Sequence, residues 1–292
     1  MVADANLLVA HGVNCSLSTN NVLNPATPYG DCSLIRMANL HANVLQVRHP
    51  GELRGCVEIS HIHFRYAPDT PLVLRDVSLS VRPGDFVAII GPSGSGKSSL
   101  FRLLLRFEQP ESGAIYYDGQ DLAGLDVQVV RQQMGVVIQN ARLASGSVLM
   151  NIIGSSPLDI DHAWEAAASA GLADDIRAMP MGMHTIVSEG GANLSGGQRQ
   201  RLLIARAIAR KPHIFLFDEA TSALDNRTQA VISRSLESLQ STRIVIAHRL
   251  STIMNASRIF VMERGVVVQS GSHTELASQS GLFRELAKRQ LV

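Results

Sequence analysis

The segment with the most distinctive chemistry is GPSGSGKS, which occupies residues 91–98. It fits the pattern G-x-x-x-x-G-K-[ST], follows the apolar run FVAII and precedes a helical stretch. Glycines let successive backbone N–H groups point into one turn, and the positive end of the following helix also attracts anions. Lys97 is expected to reach the β- and γ-phosphates of a nucleotide, and the Ser98 hydroxyl to bind Mg²⁺. The predicted phosphate-binding loop consists of Gly91, Pro92, Ser93, Gly94, Ser95, Gly96, Lys97, Ser98 and Ser99.

Four polar side chains follow strongly apolar runs, at the points where predicted strands end. They are Gln139 after GVVI, Asp218 and Glu219 after IFLF, and His248 after IVIA. Ligands of open parallel sheets bind outside the carboxyl ends of the strands, so we expect these groups to meet the loop at one edge. Asp218 is predicted to hold Mg²⁺, and Glu219 to polarise an attacking water. Gln139 is predicted to complete the Mg²⁺ and water shell, and His248 to donate to the γ-phosphate or to orient the water.

A second glycine-rich helix start lies in LSGGQRQRLLIARAIA, residues 194–209, with no apolar strand before it. Exposed N–H groups and the helix dipole at Ser195, Gly196, Gly197 and Gln198 predict a second anion site. The alternative interpretation is an N-cap serine followed by a loose first turn. If both sites bind phosphate, either they share a nucleotide within one molecule or each serves a nucleotide held by a different subunit.

The elements that must position these residues predict an α/β fold. The runs MGVVIQN, HIFLFDE and TRIVIAHR are short and apolar like DFVAIIG, and helical stretches between them are typical of a parallel sheet. CVEISHIHFRY and VLRDVSLSV alternate apolar and polar residues, which predicts half-buried strands. Helices are predicted in SSLFRLLLRFE, in DHAWEAAASAG with Gly171 at its end, and in QRQRLLIARAIARKP. The tail is predicted to add one strand, a turn and a closing helix.

Composition limits the classes of function. With 26 Lys and Arg against 25 Asp and Glu, the 292-residue chain lacks the basic excess typical of a non-specific nucleic-acid binder, so no nucleic-acid partner is predicted. No run approaches the roughly 18 apolar residues of a membrane-spanning helix. Three widely spaced cysteines favour a reducing cytosol. Residues 1–49 are rich in turn residues without sustained periodicity, which predicts a poorly ordered leader or remnant before a domain at 50–292.

As an ordered set, GPSGSGKS, LSGGQ, IFLFDE, SALD and IVIAHR resemble the ATP-binding domain of ATP-binding-cassette (ABC) transporters. The resemblance implies a P-loop NTPase (RecA-like) core with a parallel sheet, an antiparallel β subdomain and a helical subdomain at about residues 140–210. It implies ATP and Mg²⁺ as ligands, and a head-to-tail dimer in which Ser195, Gly196, Gly197 and Gln198 cap the ATP held by the partner's loop. Tyr66 falls where the family stacks an aromatic ring on adenine, and Asp225 where it communicates between the two sites.

Among ABC transporters, the chain resembles exporters in two segments, AHRLSTI and SGS-x-x-x-NI after Gln139. SSPLDIDHAWEAAASAGLADDIRAMPMGMHT is similar to bacterial exporters of leader-bearing peptides such as bacteriocins. This implies a peripheral ATPase at the cytoplasmic face of the inner membrane, paired with a like or unlike ABC domain and with transmembrane subunits. The chain departs from that pattern by lacking a membrane domain, so it is either a separate subunit or part of a longer protein. Two alternatives stay open: a nucleotide-binding remnant coupled to nothing, and a soluble ABC ATPase acting on nucleic acid or ribosomes.

Overall fold

Three sheets and ten α-helices lie within the residues that the computed structural model describes, which are 51–139, 141–218, 226–247 and 249–289. The strands are β1 (Val57–Phe64), β2 (Leu74–Val81), β3 (Phe86–Ile90), β4 (Ser112–Tyr117), β5 (Gln120–Asp121), β6 (Met134–Val137), β7 (Gly146–Ser147), β8 (Ile186–Val187), β9 (Ile214–Asp218), β10 (Thr242–Ile246), β11 (Arg258–Glu263) and β12 (Val266–Gly271). The helices are α1 (Lys97–Leu104), α2 (Val127–Gln132), α3 (Val148–Ile153), α4 (Ile160–Ser169), α5 (Ala173–Ala178), α6 (Gly196–Ile208), α7 (Asn226–Ser238), α8 (Leu250–Ile253), α9 (His273–Ser278) and α10 (Leu282–Arg289). The predicted leader at residues 1–49 lies outside the described ranges.

The largest sheet has the order β12-β11-β3-β10-β9-β6, and its five strands from β11 to β6 are parallel. Only β12, at one edge, runs antiparallel to its neighbour β11. The apolar runs of the sequence therefore form the parallel sheet that they predict. Because β10 lies between β3 and β9, the carboxyl ends of these three strands open onto one edge of the sheet.

Alternate residues of the central strands enter two different cores. In β3, Ala88 and Ile90 belong to one cluster of buried side chains, whereas Val87 and Ile89 belong to the other. Strands β9 and β10 divide their residues in the same way. A sheet covered on both faces requires near-continuous apolar strands, which explains the runs FVAII and IFLF.

The second sheet is antiparallel, with the order β2-β1-β4-β5. Its buried positions alternate with exposed ones in β1 and β2, and they pack with α1 against one face of the parallel sheet. On the other face, α6 packs against the sheet and α3 and α4 pack on α6, and the apolar residues of these helices join the first cluster. The predicted fold class, a P-loop NTPase core with antiparallel and helical additions, is confirmed.

The end of the chain differs from the prediction of a single closing helix. Two helices follow β12, because Ser272 caps α9 through a capping box with Glu275 and the chain turns at Gly281 before α10 begins. Gly281 has a φ of +153°, and a Cβ there would lie 2.5 Å from the Gln269 side-chain nitrogen. A glycine at this position therefore separates the two helices. Among the helices of the described residues, none is long and apolar enough to cross a membrane.

Tyr117 ties the antiparallel sheet to the end of α1. Its side chain is fully buried, and its hydroxyl donates to the Leu104 carbonyl oxygen at 2.8 Å. Burial raises the pKa of Tyr117 above its ordinary value, so the hydroxyl stays protonated and donating. We expect Tyr117→Phe to lower the free energy of unfolding by about 1–2 kcal/mol, because the buried carbonyl loses this donor.

Urea unfolding of the purified chain measures that loss. The matched control is Tyr116→Phe on the adjacent, half-buried position of β4, where we expect a change within about 0.5 kcal/mol. Equal unfolding midpoints for the wild type and Tyr117→Phe would contradict a stabilising role of this hydrogen bond.

Candidate nucleotide-binding site

The turn between β3 and α1 wraps around the Lys97 ammonium group. Lys97 is 6% exposed, and its Nζ donates to the carbonyl oxygens of Gly91 and Pro92, each at 2.8 Å, and to Ser95 Oγ at 3.3 Å. The amide of Gly265 donates to the Ser95 carbonyl oxygen at 3.1 Å and anchors the turn to the β11–β12 connection. The loop therefore has a fixed shape with its cation in place. Residues 91–96 form it, and residues 97–99 are the first turn of α1.

Two glycines of the loop hold conformations that a side chain would disturb. Gly91 has a φ of +152°, and a Cβ there would lie 2.1 Å from the Met262 carbonyl oxygen. Gly96 has a φ of +99°, and a Cβ would lie 2.6 Å from Leu74 Cδ2. Gly96 is also the N-cap of α1 and has no side chain to occupy the space in front of the first helical N–H groups. The amino end of α1 is therefore shaped to accept an anion.

The end of β9 lies beside the start of α1. Asp218, the last residue of β9, is 5% exposed, and the Ser98 hydroxyl donates to its Oδ2 at 3.0 Å. The sequence places these two residues 120 positions apart, and the strand order brings them together. A hydroxyl and a carboxylate oxygen are the hard ligands that Mg²⁺ prefers, so this pair fits the predicted metal site.

Gln139 follows β6 by two residues and is exposed. Since β6 is the neighbour of β9, Gln139 lies at the same edge of the sheet as Asp218. Three further predicted residues, Glu219, Asp225 and His248, lie outside the residues that the structure describes. Their roles stay predictions.

Tyr66 lies beside the loop, two residues beyond β1. Its hydroxyl is 2.9 Å from Ser99 Oγ, and its ring meets Phe64 edge-on with centroids 4.8 Å apart. The side chain is nonetheless 54% exposed. A supported, exposed ring next to the phosphate-binding loop has the placement needed to stack on a flat ligand, and adenine stacking stays a prediction.

The predicted second anion site begins α6. Ser195 is its N-cap in a capping box. Ser195 Oγ accepts from the backbone N–H of Gln198 at 3.1 Å, and the side-chain oxygen Oε1 of Gln198 accepts from the backbone N–H of Ser195 at 3.0 Å. Ser195 and Gly196 are exposed, and a Cβ added to Gly196 would meet nothing within 4 Å. The N-cap interpretation thus describes the local geometry, and it leaves the start of the helix open to a ligand from outside.

The sequence analysis does not predict the contacts that hold α6 in place. Near its start, Asp175 accepts from Gln198 Nε2 at 2.9 Å and pairs with Arg201 Nη1 at 2.9 Å. Near its end, Arg206 Nε donates to the Asn151 carbonyl oxygen at 2.6 Å, and burial lowers the pKa of Arg206. These pairs are 23 to 55 positions apart in sequence, and the SGS-x-x-x-NI motif that contains Asn151 does not indicate its partners, so only the folded structure reveals the contacts.

Asn151 extends this support to the segment that follows Gln139. Its side-chain amide donates to the carbonyl oxygens of Ala144 and Ser147 at 2.9 and 3.2 Å, and its Oδ1 accepts from the Ala144 amide at 3.1 Å. Asn151 is buried, and these bonds satisfy both ends of its amide group. The far end of α6 is therefore connected, through Arg206 and Asn151, to the chain beyond β6.

The parallel sheet and its lysine-bearing loop define the class as a P-loop NTPase. The profile of the family described as "ABC transporter" matches residues 74–222, and the chain belongs to this family. Leukotoxin translocation ATP-binding protein LktB of Mannheimia haemolytica is 46% identical over 244 residues, which cover 82% of this chain and 34% of LktB. LktB of Bibersteinia trehalosi gives the same values.

A solved structure of a bacterial Atm1-family ABC exporter with ATP bound superposes with a TM-score of 0.79 at 38% identity, covering 89% of this chain and 47% of that chain. The chain spans about a third of the length of the curated relatives that it matches. The predicted resemblance to exporter-type ATP-binding domains is confirmed, and the relatives favour neither of the two alternative classes.

Proposed function

We propose that this chain is the ATP-hydrolysing module of an exporter. The observation that carries the proposal is the 3.0 Å contact between the Ser98 hydroxyl and Asp218, at the start of the helix that bears Lys97. This is the geometry that a nucleoside triphosphate with Mg²⁺ requires, since the metal ligands and the phosphate-binding loop adjoin. Bound Mg²⁺ neutralises charge on the β- and γ-phosphates.

Each side chain at this edge has a proposed task. Lys97 and the backbone amides at the start of α1 bind the phosphates, and Ser98, Asp218 and Gln139 hold Mg²⁺ and its water shell. Glu219 accepts a proton from the attacking water, and His248 donates to the γ-phosphate or orients that water. Tyr66 stacks on the adenine ring.

The complete site needs two ABC domains, in one kind of chain or in two. The exposed amino end of α6, with Ser195, Gly196, Gly197 and Gln198, contacts ATP that the Lys97 loop of a second domain holds. Asp225 communicates between the two sites. ATP closes the two domains, and hydrolysis lets them separate.

Transmembrane partners receive this movement at the cytoplasmic face of the inner membrane. Met150, which follows β7, and Ile186, in β8, are exposed apolar side chains at the paired strands β7 and β8, and such patches mark interaction sites. The segment that ends in β7, NARLASGS, and the segment that follows β8, SEGGAN, are therefore the proposed contact with the membrane partner. LktB is named for leukotoxin translocation, which supports a peptide or protein as the cargo here.

Mixing two inactive variants tests whether two copies share each site. Lys97→Ala removes the phosphate-binding cation, and Ser195→Arg blocks the amino end of α6, so each variant alone is expected to lose ATP hydrolysis. In an equal mixture, half of the dimers pair unlike chains and contain one intact site, so about a quarter of the wild-type rate should return. Release of inorganic phosphate measures the rate, with EDTA as the Mg²⁺-free control. A mixture as inactive as its parts would contradict the shared site.

A further inference from the structure

We propose that Asp175 is a positioning residue for Ser195. By fixing the orientation of the Gln198 side-chain amide, Asp175 holds the capping box that presents the Ser195 hydroxyl to a phosphate oxygen of the nucleotide that the partner domain holds. This inference rests on the proposed function, because it concerns the second anion site of the same shared centre.

The side-chain amide of Gln198 has an accepting oxygen and a donating nitrogen. One of its two contacts uses the oxygen and the other uses the nitrogen. Its Oε1 accepts from the Ser195 amide at 3.0 Å, and its Nε2 donates to Asp175 Oδ1 at 2.9 Å. An ionised carboxylate can only accept, so the Nε2 end must face Asp175. A flipped amide would set oxygen against carboxylate and Nε2 against the Ser195 N–H. Asp175 therefore selects the orientation that completes the capping box.

The completed capping box holds Ser195 at the start of α6 and leaves its hydroxyl proton for a ligand. Gln198 Oε1 accepts the Ser195 N–H, and Ser195 Oγ accepts the Gln198 backbone N–H at 3.1 Å. A serine hydroxyl has a single donor proton, and neither contact uses it. The side chain is exposed at the amino end of a 13-residue helix, where phosphate oxygens, which only accept, are attracted. Asp175 thus acts on the phosphate contact through Gln198 and Ser195.

A carboxylate near an anion site needs a counter-charge, and Arg201 supplies it. Arg201 Nη1 lies 2.9 Å from Asp175 Oδ2 and also donates to the Gly171 carbonyl oxygen at 2.7 Å. The side chains of Arg201 and Asp175 are 17% and 27% exposed, so the pair is largely sheltered from solvent. Asp175 can therefore orient Gln198 without adding net negative charge to the start of α6.

The experiment separates nucleotide binding from pairing of the two domains. In the full chain carrying Glu219→Gln, which should retain bound ATP, Asp175→Asn is expected to weaken MgATP-dependent dimerisation about five- to tenfold. Binding of MgATP by dilute, monomeric chain should stay within about twofold, because the Lys97 loop is untouched. Analytical ultracentrifugation gives the first quantity and nucleotide fluorescence the second. A purely structural defect would reduce both.

A double variant that moves the carboxylate from position 175 to position 198 tests whether the Asp175–Gln198 contact itself matters. Gln198→Glu alone sets two carboxylates against each other and should weaken dimerisation at least as much as Asp175→Asn. In the double variant Asp175→Asn with Gln198→Glu, the introduced amide donates to the introduced carboxylate, Arg201 keeps a carboxylate nearby, and the Ser195 N–H keeps its acceptor. The introduced carboxylate still faces the partner's ATP, so dimerisation should recover only in part, but it should exceed that of Gln198→Glu alone by about five- to tenfold.

Asp174→Asn is the matched control, since Asp174 lies on the same helix, is 96% exposed and pairs with Arg177 at 2.8 Å. It should leave dimerisation unchanged. Unaltered dimerisation in Asp175→Asn overturns the role of Asp175, and so does a double variant that dimerises no more strongly than Gln198→Glu alone. A parent that remains monomeric with MgATP overturns the proposed function itself, so the two failures are distinct.

Discussion

Replacing Lys97 with alanine is expected to weaken MgATP binding by about 10- to 100-fold, the effect of losing hydrogen bonds to a charged group. The ammonium group is almost fully buried in its turn and is held by two carbonyl oxygens and a hydroxyl. No flexible side chain of the loop can replace it, since the other members are glycine, serine and proline. Equilibrium binding of a fluorescent ATP analogue to the monomeric chain measures the loss.

Lys211→Ala is the matched control for the removal of a lysine. Lys211 is half exposed, and its Nζ pairs with Glu165 at 2.7 Å on the helical side of the molecule. We expect MgATP binding to change less than about twofold, because exposed ion pairs contribute little and this one lies away from the loop. Equal affinities of Lys97→Ala and wild type would remove Lys97 from the phosphate site.

The sequence predicts those elements of the fold whose burial requires a recognisable pattern of residues. The strands β3, β9 and β10 are covered on both faces, so they must be apolar throughout, and each is visible as a short run. The loop was predictable for a different reason, since its glycines hold backbone positions that a Cβ would block. Strand β11 has the same apolar character, yet the sequence prediction omits it, because a short apolar run alone does not distinguish a strand from a buried helix.

The supports of the site were not predictable in this way. Asp175 and Asn151 hold opposite ends of α6, but nothing near them in sequence indicates which residues they contact. Both depend on how α3, α5 and α6 pack together, which is a property of tertiary structure. Sequence motifs thus identified the groups proposed to contact the nucleotide, and the structure was needed to find the groups that orient them.

Glu219 is the proposed general base because of the strand that precedes it. Strand β9 is buried along its whole length and ends at Asp218, which adjoins Ser98. The next residue of the chain is the second of the two consecutive acids. If Asp218 serves the metal, its neighbour is the carboxylate that remains to accept a proton from water.

Glu219→Gln is accordingly expected to lower ATP turnover by about 10²- to 10⁴-fold while ATP still binds, because the amide keeps the shape of the side chain but cannot accept the proton. Dimerisation, in contrast, should increase. Without hydrolysis the two ABC domains stay closed on ATP, so the variant should form a stable dimer in MgATP. Phosphate release and sedimentation with and without MgATP measure the two effects together. Asp218→Asn, by contrast, should weaken the Mg²⁺ dependence of binding. Normal turnover in Glu219→Gln would assign the base to another residue, and low turnover without a dimer would place the defect in binding.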